Sequence, residues 1–126
     1  MTAPRRRGAR GQATVELALV LPVVLMVLLV VVQVGLLARD RLVVVHATRA
    51  AARAVIVEPA TSAATTALRR QGVRGSARVH VAGQLHAGGL ATVEVEMPPT
   101  RLPLVGRALA GVTLRESLTV HVEGRR

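Results

Sequence analysis

A chain of 126 residues has room for one small domain with accessory segments, and this one carries 17 Arg, no Lys, no Cys and no Phe, Tyr or Trp among 51% apolar residues. The missing cysteines exclude a disulfide framework, a thiolate metal site and a cysteine nucleophile. The net charge of +10 is spread along the chain rather than clustered, and with no aromatic ring to stack on bases, nucleic acid is not an expected partner.

A basic arm comes first, with Arg5, Arg6, Arg7 and Arg10. Residues 17–38 follow as an apolar run whose only strongly polar member is Gln33. At ~1.5 Å per residue the run spans about 33 Å of helix, enough for a bilayer core of ~30 Å. It is apolar all round, which a small soluble fold cannot bury, and it is longer than a secretory h-region of about 7 to 15 residues. A retained transmembrane helix is therefore expected. Positive charges flank the span on both sides, but the N-terminal arm has no acid before Glu16, whereas Asp40 stands among the arginines beyond it. This orients the N-terminus to the cytoplasm and residues 39–126 outside. Pro22, inside the span, removes an amide that would bond Ala18, so a kink or local loosening is expected there.

No Gly or Pro interrupts residues 39–57, so the helix is expected to continue as a stalk until Glu58 and Pro59 stop it. At 100° per residue Arg39, His46, Arg49 and Arg53 form a polar stripe, and Val44, Ala47, Ala51 and Val55 form a small apolar stripe opposite. The apolar stripe suits either the chain's own domain or close packing against copies and relatives of the chain.

Thr61 or Ser62 can cap a short helix over residues 63–71, closed by Gly72. The period then changes to two. Residues 76–81, 92–97 and 118–123 alternate apolar with polar, which predicts three strands of an antiparallel sheet covered on one face. The loop 83–89 joins the first two as a hairpin, and a symmetric register places Arg78 opposite Glu94. Pro98 and Pro99 end the second strand, and Leu102, Val105 and Leu109 suggest a helical turn before Gly111. Continued alternation would turn Glu116 inward, so a bulge or a late strand start is expected near Arg115. A domain this small, without aromatics or disulfides, gains little from its core and leans on the long helix or on neighbours.

Catalytic chemistry has no constellation to work with. His46, His80, His86 and His121, with Glu94, Glu96 and Glu123, fall in no metal-binding spacing, and no nucleophile elbow or phosphate loop occurs. The pairs Glu94 with Glu96 and His121 with Glu123 sit on the polar face of alternating strands. No enzyme activity, metal, cofactor or small-molecule substrate is expected.

The lone acid Glu16 remains to be explained, since a charge at the edge of a hydrocarbon slab is unfavourable. The basic arm, Gly11, Glu16 five residues later, the apolar span with Pro22, the alanine-arginine stretch from His46 to Arg53 and the small β-rich tail together resemble TadE-like pseudopilins of tight-adherence (Flp) type IV pilus systems. The resemblance implies that a membrane aspartyl prepilin peptidase cuts between Gly11 and Gln12, making Glu16 the fifth residue of the mature chain. Glu16 of one subunit would then neutralise the new α-amino group of its neighbour, so that both charges find partners on assembly. The residues alone also allow a plainer role, an acid favoured at a helix start near the headgroups.

The expected fold is α+β. It comprises a leader (1–11), a transmembrane helix continuing as an amphipathic stalk (12–57, span about 17–38), and a small exported domain (58–126) with about three antiparallel strands and one short helix. The resemblance implies a minor pseudopilin or assembly component, single-pass in the inner membrane, whose partners are the membrane, the prepilin peptidase, the pilus platform and other pilins or pseudopilins. The alternative is an uncleaved, signal-anchored exported domain that binds an envelope protein or ligand without polymerising.

Overall fold

The computed structural model describes residues 8–73 and 77–123. The arginines of the basic arm at Arg5, Arg6 and Arg7, and the expected strand start at Ser76, lie outside the described residues. In chain order the elements are α1 (Gly8–Val57), α2 (Thr61–Arg70), β1 (Arg78–Gly83), β2 (Leu90–Met97), a 3-10 turn (Val105–Leu109) and β3 (Leu114–His121). The strands form one antiparallel sheet in the order β1-β2-β3. This is the α+β layout that the sequence periods predict.

α1 is one continuous helix of 50 residues, about 75 Å long at ~1.5 Å per residue. It runs through Pro22, since one lost amide removes a single bond from a ladder intact on both sides. Glu58 N still donates to Ala54 O at 2.9 Å, and Pro59 then ends the helix. Most large apolar side chains from Val15 to Val34 are exposed. α1 is the one helix among the described residues long and apolar enough to cross a membrane, and its most apolar 18-residue window is 0% buried, unlike the core helix of a soluble protein.

The C-terminal half of α1 is the spine of the domain. Ala47, Ala51, Ala52 and Val55 pack with Ala64 and Leu68 of α2, Ala91, Val93 and Val95 of β2, and Val122. Alanine on the helix lets the sheet approach closely, so valines suffice to fill a core without aromatics. The bulkiest fully buried side chains include Val44, Val55, Val93, Val95 and Val122, each worth about 1.5–3 kcal/mol on full burial.

Three expectations are corrected. Arg78 pairs with Glu96, and His80 with Glu94. The reason is Gly83: expected in the loop, it stays in the ladder opposite Ala91, with φ 109 and so little room that a Cβ would lie 2.4 Å from Leu90 O. The turn therefore closes later and the register moves by two. Secondly, α2 starts at Thr61, with Ala60 at its N-cap and no side-chain cap. The chain reverses directly after α1, where Ala60 N donates to Glu58 O at 2.7 Å, and this draws Thr61 and Ser62 into the first turn. Thirdly, β3 does start beside Arg115, at Leu114, but it pairs with β2 in unbroken register with no bulge, so Glu116 is not turned away and stands opposite Val95 on the helix side. Its carboxylate is met there by Arg41 of α1, 2.9 Å away.

Candidate functional site

The residues singled out in the sequence separate into two parts of α1. Gly11, Gln12, Glu16 and Pro22 all lie exposed on the bare segment. The Gly11–Gln12 peptide bond is within the helix, and Glu16 is the only ionisable side chain of residues 11–38. Gln12 and Glu16, one turn apart, share a face of α1.

Farther along, Arg39, His46, Arg49 and Arg53 are exposed, and Val44, Ala47, Ala51 and Val55 are buried. Of the two uses left open for the apolar stripe, the structure fills it with the chain's own domain. The stripe also extends further toward the N-terminus than the apolar residues reveal. Gln33 and Asp40, 7% and 4% exposed, continue the same face of α1. Gln33 Nε2 donates to Thr100 O at 2.8 Å, and Leu102 N donates to Gln33 Oε1 at 2.8 Å. Thr100 N donates to Asp40 Oδ2 at 2.6 Å. One segment after β2 is thus tied to α1 at two heights, seven residues or about 10 Å apart. The end of the predicted span, from Gln33 on, already carries the domain. Arg41 Nη1 donates to Arg115 O at 3.0 Å beside its pair with Glu116, which fixes the start of β3 to the same part of the helix.

None of these anchoring groups was singled out as a site from the sequence, although their phase was legible. Gln33, Asp40, Val44, Ala47, Ala51 and Val55 repeat at helical spacing, so a polar residue in that row had to meet a partner from the domain.

The outer face of the sheet is polar and mutually paired. Arg115 pairs with Glu94 at 2.8 Å and also with Glu96. Thr92 and Thr119 share a hydroxyl hydrogen bond of 3.0 Å, and His121 Nδ1 lies 3.0 Å from Gly89 O. These are cross-strand contacts of a solvated face. Among the described residues no group of three or more His, Asp or Glu is placed to hold a metal ion.

Comparison with known proteins returns no matching curated protein and no matching solved structure. A family model does match, over the segment that spans the bare helix, the anchoring row and the polar stripe. Residues 11–53 fit the family described as TadE-like protein, so the helix of this chain, from Gly11 to Arg53, is TadE-like.

Proposed function

We propose that this chain is a minor pseudopilin or assembly component of a tight-adherence (Flp-type) pilus or a related secretion machine. α1 anchors it in the inner membrane, its N-terminus faces the cytoplasm and its α+β domain lies outside. One observation carries the reading: a single carboxylate, Glu16, stands five residues beyond Gly11 on a bare apolar helix, inside the TadE-like segment. After a cut following Gly11, the α-amino group of Gln12 is a cation beside lipid. Glu16 of a neighbouring subunit removes the cost of both charges, so docking is favoured in one register. The apolar face of the stalk is already used by the chain's own domain, which leaves the bare segment as the surface for neighbouring helices. The prepilin peptidase, the pilus platform and other pilins or pseudopilins are the partners in this scheme.

The test is the N-terminal sequence and intact mass of the protein purified from its native envelope. A chain beginning at Gln12, together with loss of co-purifying pilins in Glu16→Leu at unchanged membrane content, supports the proposal. An intact leader in a host with active prepilin peptidase, combined with full tolerance of Glu16→Leu, rejects it in favour of an uncleaved anchor for an exported binding domain.

A further inference from the structure

The segment joining β2 to β3 does more than connect them. Thr100 hydrogen-bonds to Asp40 and Gln33, and Leu102 to Gln33 only, so the chain descends along α1 toward the bare segment. It returns to the level of Arg41 at Arg115. Residues 103–112 therefore form the part of the domain nearest the exposed apolar helix.

The tip of this loop is unusual. Val105 N donates to Pro103 O at 2.9 Å around Leu104, whose φ of 70 and ψ of -69 define a γ-turn of the strained, left-handed kind. A leucine here is unfavourable where glycine would be at ease, and strain of this sort persists only where the surrounding structure enforces it, most often at functional segments. Leu104 is also 72% exposed, more than any other large apolar side chain among the described residues. Gly106 holds the turn closed: it is buried, its N donates to Leu102 O at 2.9 Å, and a Cβ on it would lie 2.7 Å from Arg101 Cβ. Arg101 and Arg107 are exposed on either side of Leu104, and no acid occurs between Glu96 and Glu116.

An exposed leucine between two arginines, held beside a bare apolar helix, has the chemistry of a membrane interface. The aliphatic group enters the acyl boundary, and the guanidinium groups meet lipid phosphates. With the domain tied at Gln33, the hydrocarbon segment shifts from the expected 17–38 to residues 12–32, which still make about 32 Å of helix, close to the ~30 Å hydrocarbon core. The slab then ends where the loop is tied, at Gln33. We propose that the loop 98–112 seats the domain on an anionic phospholipid surface, with Leu104 inserted and Arg101 and Arg107 at the headgroups. The inference rests on the reading of α1 as a membrane anchor.

The natural chain has no cysteine, so single cysteines can be placed cleanly. Full-length Val27→Cys, Leu104→Cys and His86→Cys carry an environment-sensitive fluorophore in vesicles of phosphatidylcholine and phosphatidylglycerol, with doxyl quenchers at shallow or deep positions. The expected result is deep quenching at position 27, a blue shift and severalfold stronger shallow quenching at 104 than at 86, and a smaller effect at 104 without phosphatidylglycerol. Position 104 in water while position 27 is quenched would overturn the proposal and leave the anchor intact. Position 27 in water would overturn both. Shielding at 104 that appears only at high protein density would also overturn it, assigning the loop to a neighbouring chain.

Discussion

Gln33→Leu isolates the tie between helix and domain, because it makes α1 more apolar and does not weaken the helix itself. The substitution deletes two hydrogen bonds of 2.8 Å each. Each is worth about 0.5–1.5 kcal/mol net, which brackets the loss at roughly 1–3 kcal/mol. Thr100 is exposed, so water can satisfy its carbonyl, whereas the Leu102 amide is less accessible. The lower half of the range therefore applies, about 1.5 kcal/mol, and for a domain of this size it lowers the melting temperature by about 6–12 °C. Thermal unfolding of the full chain in nanodiscs, followed by circular dichroism, measures the shift. Amide exchange at Leu102 tests its origin and should accelerate while exchange at Val93 follows global stability alone. A melting shift under about 2 °C with unchanged exchange at Leu102 would refute the idea that Gln33 holds the loop.

Other substitutions probe the remaining contacts. Val55→Ala removes two methyl groups from a fully buried side chain and should cost about 2 kcal/mol, transfer and cavity together, read from the urea midpoint. Arg41→Ala leaves Glu116 unpaired on the helix side of the sheet and should destabilise by about 1 kcal/mol, discounted for solvent because the arginine is 54% exposed. Glu116→Leu should be neutral or stabilising by the same thermal assay, since an apolar residue opposite Val95 needs no partner. Gly106→Ala forces its Cβ into Arg101, so limited trypsin digestion should cut after Arg101 and Arg107 faster than in the parent chain.

The periods of the sequence predicted the long helix, its stop at Val57, the short helix and three strands, because each depends on local pattern. What they missed depends on pairs distant in sequence. The hairpin register turned on Gly83, whose backbone approaches Leu90 too closely for a side chain and so belongs to the ladder rather than to the loop. The inward acid Glu116 looked like a fault requiring a bulge, since its partner Arg41 stands 75 residues earlier on another element. Gln33 appeared as an isolated polar residue in a span because Thr100 and Leu102, its partners, lie in a loop with no periodic signal. The candidate residues around Glu16 were legible for the opposite reason: a lone charge in an apolar run stands out with no partner in view.

One unbroken helix runs from the bare segment into the core, and this gives the molecule the mechanics of a lever. Gln33, Asp40 and Arg41 fasten the loop after β2 and the start of β3 to α1, and these ties oppose swivelling of the domain about the segment below it. From Gln33 to Val57 the shaft is about 36 Å long, so a tilt of about 10° below Gln33 carries the far end of the domain sideways by about 6 Å. A displacement of that size exceeds the ~4.8 Å spacing of neighbouring β-strands. A neighbour that reorients the lower helix thereby changes which surface the domain presents above.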